Sequence, residues 1–241
     1  MDHAELNPTF SFRQFALTDR RCGMKIGTDG VLLGAWAGDG MRPRTVFDIG
    51  AGCGIIGLMA CQRFAEAEVY FVENDSNAVK DLEYNINASP WASRCRVVAA
   101  DFASAPLGRA DLIVCNPPFF LTGEKAPDQS RAAARHAAAL SPLSAVEFAS
   151  AHLTPEGRAA LIFPAEMLPA VEECAAFARL SPVRICSVAT AEGKRPARVM
   201  AEFTFASAPC SRSELTVRDR SGRPTADYAA LTRDFYLHID G

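Results

Sequence analysis

Asp48-Ile49-Gly50-Ala51-Gly52-Cys53-Gly54-Ile55-Ile56-Gly57 stands between a strand expected over Arg44 to Ile49 and a helix expected to about Phe64. A strand, a glycine-rich turn and a helix in that order build a ligand loop at the carboxyl end of a parallel sheet. Gly50, Gly52 and Gly54 let the backbone turn sharply and approach a ligand, while Gly57 lets the helix pack closely. Gly52, Gly54 and Gly57 also satisfy the dinucleotide pattern G-x-G-x-x-G, so the glycines do not choose the ligand. Asp48 weighs against a pyrophosphate and suits a cofactor with a cationic amino-acid portion.

Outward from this loop, strands are expected over Glu68 to Val72, Arg96 to Ala100 and Ala110 to Cys115. Glu73 ends the first of them, roughly twenty residues past the glycines, where a carboxylate can hold both hydroxyls of a ribose; the alternative is a strand-end acid facing water. Asp101 ends the second, either to accept adenine amino hydrogens beside Phe102 or as a plain helix cap. The third runs into Asn116-Pro117-Pro118-Phe119. The prolines stop the strand abruptly, and Asn116 then lies at the rim of a crevice. The amide oxygen of Asn116 and the carbonyl of Pro117 can accept both hydrogens of a planar amino group, with Phe119 as a stacking face. An Asn-Pro turn without chemistry is the alternative.

Upstream, Phe10, Phe12 and Phe15 lie around a hairpin before Thr18-Asp19-Arg20-Arg21. Thr28 and Asp29 either cap a helix over Val31 to Ala37 or open its N-terminus toward the pocket. Downstream, residues 121–140 read as a lid or substrate loop carrying Arg131, Arg135 and His136, or as a solvated helix. Further helices are expected from Ser141-Pro142 to Leu153, over Ala165 to Leu180 and within Tyr228 to Leu237. Strands are expected over Gly157 to Phe163, Val183 to Thr190 and Arg198 to Phe205. Lys194, Arg195 and Arg198 form the most basic short stretch, placed to touch phosphate or simply solvated.

The chain has 241 residues, 49% hydrophobic and 22% charged, enough for a core within one α/β domain, 1–241, with 1–42 as an N-terminal extension and 43–241 as the Rossmann-like body. A net charge of −3 excludes broad sequence-blind binding to nucleic acid and leaves room only for a local basic patch. Eight cysteines without a C-x-x-C pair argue for reduced cytoplasmic thiols and against zinc or any other metal. No export signal or membrane span is read from the sequence, so a cytoplasmic protein without an obligate protein partner is expected.

The loop from Asp48 to Gly54, Glu73 and Asn116-Pro117-Pro118-Phe119 together resemble the class I S-adenosylmethionine-dependent methyltransferases that act on amino groups. Four further stretches narrow the resemblance: Phe12-Arg13-Gln14-Phe15, Met24 through Trp36, Asn85-Ile86-Asn87-Ala88-Ser89-Pro90-Trp91, and Tyr228 through Leu237. They are similar to the bacterial tRNA (adenine) methyltransferases that modify the 6-amino group of the adenosine next to the anticodon of valine tRNA. Phe119-Phe120 replaces a commoner Tyr, and Cys53 stands where Ser is frequent; guanine-methylating relatives also use Phe.

The resemblance implies a mostly parallel seven-stranded sheet with helices on both faces and a small N-terminal hairpin and helix extension. It implies S-adenosylmethionine in a pocket made by Thr28, Asp29, Asp48, Gly50, Gly52, Glu73, Asp101 and Asn116. Catalysis falls to Asn116, Pro117 and Phe119. A tRNA substrate would be held by Phe119, Arg131, Arg135, Lys194, Arg195 and Arg198. Methylation of a guanine 2-amino group in ribosomal RNA or of a protein glutamine amide would use the same chemistry. A nicotinamide-dependent oxidoreductase leaves Asn116 to Phe119 unexplained, and an idle nucleic-acid-binding module is disfavoured by the acidic balance.

Overall fold

The computed structural model describes residues 8–118 and 140–239. A short hairpin, β1 (Phe10–Ser11) and β2 (Ala16–Leu17), precedes helix α1 (Thr28–Trp36). Then strands and helices alternate: β3 (Thr45–Ile49), α2 (Ile55–Arg63), β4 (Glu68–Glu73), α3 (Ser76–Ala88), β5 (Cys95–Ala99) and β6 (Ala110–Cys115). Beyond residue 139 come α4 (Pro142–His152), β7 (Leu153–Pro164), α5 (Leu168–Phe177), β8 (Ser181–Ala189), β9 (Arg198–Thr204), β10 (Ser211–Thr216) and α6 (Ala226–Thr232).

The main sheet has the order β10-β8-β9-β7-β6-β3-β4-β5. Every pairing is parallel except the two made by β9, which runs antiparallel between β7 and β8. The seven expected strands are all present, and an eighth, β10, adds to the β8 edge. Its sequence Ser-Arg-Ser-Glu-Leu-Thr leaves four of six side chains exposed, so it carries no apolar run for a sequence reading to find. The chain order turns back between β3 and β6, and the register pairs Ile49 with both Val72 and Cys115. The ends of β3, β4 and β6 are therefore level, and the residues after them meet at one place outside the sheet.

Side-chain alternation along buried strands fills two cores. Leu112 and Val114 of β6 join Val46, Val69 and Phe71 under α1, α2 and α3, whereas Ile113 and Cys115 join Phe47, Leu161 and Phe163 under α4 and α5. All eight cysteines are free, six of them buried in this packing.

The segment between the hairpin and α1 is strapped down by α3. Asn85, fully buried, accepts the Thr18 N–H at 2.8 Å and donates to the carbonyls of Thr18 and Cys53, both at 2.8 Å. One turn earlier on α3, Asp81 accepts the Arg21 N–H at 2.6 Å and the Arg21 guanidinium at 3.2 Å. Carboxylate and amide at i and i+4 lie on one face of the helix, so a single helix face fixes this strap against the glycine loop.

Candidate functional site

A cavity of about 950 Å³ opens at the carboxyl ends of β3, β4 and β6, between the glycine loop, the strap and the turn after β6. Gly50 and Gly52 line it with φ of 69° and 56°, values that L side chains rarely adopt. A Cβ placed on Gly52 would meet no atom within 4 Å; the room it would take belongs to the cavity.

Glu73 is the organising side chain. Its Oε2 accepts the Gly52 N–H at 2.8 Å, and its Oε1 accepts those of Asn74 at 2.9 Å and Asp75 at 2.8 Å. Three backbone donors fix the direction of the carboxylate at the cavity wall. The reading of Glu73 as a free acid facing water does not fit these contacts.

Asp48 lies beneath the loop, outside the lining residues. It shares a face of β3 with Val46, is 1% exposed, and its Oδ2 accepts the Gly57 N–H at 2.8 Å in the first turn of α2. Burial lifts its pKa to about 7, helped by the charge of Glu73 and opposed by the Gly57 hydrogen bond. It thus sits beneath the glycine loop and outside the cavity lining.

Thr28 and Asp29 line the cavity from the first turn of α1. The residue before the helix is Gly27, with no side-chain cap, so neither Thr28 nor Asp29 is the cap that one expectation made them. Asp29 Oδ2 accepts from Arg198 Nε at 2.9 Å. Arg198 thus turns toward the cavity wall that Asp29 lines, while Lys194 and Arg195 stand exposed on the turn that starts at Thr190, itself a lining residue. Asp101 takes the cap reading: its Oδ1 accepts the Ala103 N–H at 2.9 Å, and its neighbours Ala100 and Phe102 line the cavity in its place.

Asn116 completes the site. It and Pro118 line the cavity, while Pro117 is buried behind them. The Asn116 amide nitrogen donates to the Met24 sulfur at 3.7 Å, and its Oδ1 is buried with no donor among the described residues. An acceptor left so is a place for a ligand hydrogen. Phe119, Arg131, Arg135 and His136, with the expected lid, lie outside the described residues. The strap residues Cys22 to Gly27 line a full side of the cavity. Only their neighbourhood to the Gly-Thr-Asp segment, not any chemical motif, could have pointed to them.

The methyltransferase small domain family matches residues 30–167. Over 232 residues the chain is 40% identical to the tRNA1(Val) (adenine(37)-N6)-methyltransferase of Actinobacillus succinogenes, covering 95% of this chain and 97% of that one. The Porphyromonas gingivalis protein of the same name is 39% identical over 240 residues, covering 94% of each chain. Among solved structures, a predicted O-methyltransferase of Agrobacterium tumefaciens superposes with a TM-score of 0.68 at 16% identity, covering 88% of this chain and 99% of that one. The Thermus thermophilus 16S rRNA N2 G1207 methyltransferase in complex with AdoMet and guanosine gives a TM-score of 0.52 at 26% identity, covering 76% of this chain and 44% of that one.

Proposed function

Because the chain belongs to the methyltransferase small domain family and to that of the tRNA1(Val) (adenine(37)-N6)-methyltransferases, we propose that it methylates the 6-amino group of the adenosine adjacent to the anticodon of valine tRNA. The observation that carries this reading is the buried, unpartnered oxygen of Asn116 at the rim of the glycine-loop cavity. It works as one domain, 1–241, in the cytoplasm. No helix among the described residues is long and apolar enough to cross a membrane.

The residues present fit S-adenosylmethionine, which when bound supplies an electrophilic methyl group. Glu73, preset by its three backbone donors, would hold the ribose diol, and the open side of Gly52 admits the ligand against the backbone. Ala100 and Phe102 would flank the base, and Thr28 and Asp29 would close the opposite side. An aromatic amine is a poor nucleophile because its lone pair is delocalised into the ring. Asn116 Oδ1 and the Pro117 carbonyl would accept its two hydrogens, favour the pyramidal form and aim the freed lone pair at the methyl. The proton lost after transfer needs no strong base, since the methylated amine is strongly acidic until it leaves. An anticodon-loop adenosine already lies outside a duplex, so presenting it is cheap. Phe119 would stack on it, and Arg131, Arg135, Lys194 and Arg195 would hold flanking phosphates.

Mass mapping of tRNA modifications in cells lacking the protein tests this. Loss of the methyl on that adenosine alone is the expected result. An unchanged tRNA with a lost methyl in ribosomal RNA or on a protein glutamine would overturn it.

A further inference from the structure

A side-chain amide is nearly symmetric in shape, so the direction in which Asn116 presents its oxygen is set by what its two ends touch. The two residues that follow are prolines, which bring no N–H to compete for that oxygen. Among the described residues Oδ1 has no donor, whereas Nδ2 donates to Met24 Sδ at 3.7 Å. A thioether can accept a hydrogen bond but has no hydrogen to give. With the amide reversed, oxygen and sulfur lone pairs would face each other, and the two N–H bonds would point where the target amine has to bring its own. The contact therefore selects the one orientation that can receive an amino group.

The two residues that follow Met24 are tied to the strap. Lys25 Nζ donates to the carbonyls of Asp19 at 2.6 Å, Arg20 at 3.2 Å and Cys22 at 3.1 Å, closing the strap on itself. Asp19 Oδ2 accepts the Ile26 N–H at 2.8 Å and ties the strap's far side to the same turn. Yet Met24 is 49% exposed, one of the few large apolar side chains left in water among the described residues. Folding alone gives no reason for a methionine at the tip of a polar strap on the cavity wall.

We propose that Met24 is a positioning residue for methyl transfer, its thioether fixing the Asn116 amide with the oxygen turned to the target amine. This rests on the reading of Asn116 as the acceptor for that amine.

The test is single-turnover methyl transfer to unmodified valine tRNA at saturating S-adenosylmethionine, with Met24→Leu, Met24→Gln and Asn116→Ala. Leucine keeps the size and drops the acceptor; glutamine restores an acceptor through its amide oxygen. Met24→Leu is expected to slow transfer about tenfold while calorimetric affinity for S-adenosylhomocysteine and for the tRNA stays at the parent value. Met24→Gln is expected to recover most of the rate. A full rate in Met24→Leu, or equal losses in the leucine and glutamine variants, would overturn the proposal and leave the function intact. A full rate in Asn116→Ala would instead remove the acceptor reading itself, whatever the Met24 variants do.

Discussion

Arg198 Nε and Asp29 Oδ2 lie 2.9 Å apart, each side chain about one-third exposed, joining the start of β9 to the first turn of α1 at the cavity wall. A cation that the sequence places among RNA contacts is thereby tied to a residue that lines the cavity. Exposed pairs of this kind contribute roughly 0.2–1 kcal/mol. Arg198→Ala is expected to weaken S-adenosylhomocysteine binding a few-fold in calorimetry. Lys194→Ala with Arg195→Ala should leave that affinity alone and flatten the salt dependence of tRNA binding by about one log-log unit per lost phosphate contact. An Arg198 variant that behaves like the other two would place its role on the RNA.

Removing Glu73 deprives three backbone N–H groups of their acceptor and, on the proposed reading, the ribose of its partner. Glu73→Ala is expected to lose about 2–3 kcal/mol of S-adenosylhomocysteine affinity. Unchanged calorimetric affinity would take Glu73 out of the binding site.

Asn116→Ala should fold and bind S-adenosylhomocysteine, yet lose about 10²–10³ in single-turnover rate, the scale for removing one positioned polar group. Asn116→Asp keeps an acceptor in nearly the same place and should retain part of the activity. Equal inactivity of both variants would count against acceptance as the function of this side chain.

A Cβ on Gly57 would sit 2.2 Å from Cε1 of Phe71, whose ring is wholly buried. Gly57→Ala is therefore expected to cost roughly 1–3 kcal/mol of stability by overpacking. Chemical denaturation that gives the parent midpoint would refute the clash.

Asp48 predicts a pH dependence. Its folded pKa of about 7 stands above its ordinary value of 3.8, so the folded state holds a proton that the unfolded state gives up in between. The stabilisation is full below the lower value and is lost as pH rises through the higher one. Asp48→Asn removes this titration while keeping an oxygen for the Gly57 N–H. Its melting temperature relative to the parent should rise by several degrees between pH 5 and pH 8. A difference constant across that range would mean that Asp48 is charged throughout.

The sequence was most legible where apolar runs and turn residues agree. Ala110 to Cys115 forms the strand expected of it, and the three carboxyl ends that meet at the cavity were identified from the acid, amide and glycines that follow them. Asp48 and Asp101 were harder because a residue at a strand end can face either the ligand or its own backbone. In the structure each accepts a backbone N–H, Asp48 that of Gly57 and Asp101 that of Ala103. The strap was least legible: Asp81 and Asn85 look like ordinary polar positions on a helix, and their partners Arg21 and Thr18 lie some sixty residues away.

The hairpin meets the opposite end of the described chain, where Arg13 donates through Nε to the Tyr236 carbonyl and through its N–H to that of Phe235. Phe12 stacks on Phe15 and on Tyr236 in the same place. During synthesis, then, residue 13 waits for 223 further residues before its partner exists. The glycine loop and its sheet can form while the ribosome is still working, but the hairpin that leads into the strap gains this clasp only from residues made much later. A product that stops before Phe235 would keep most of the core and lack this clasp on the hairpin, a difference that protease sensitivity near residue 13 would report.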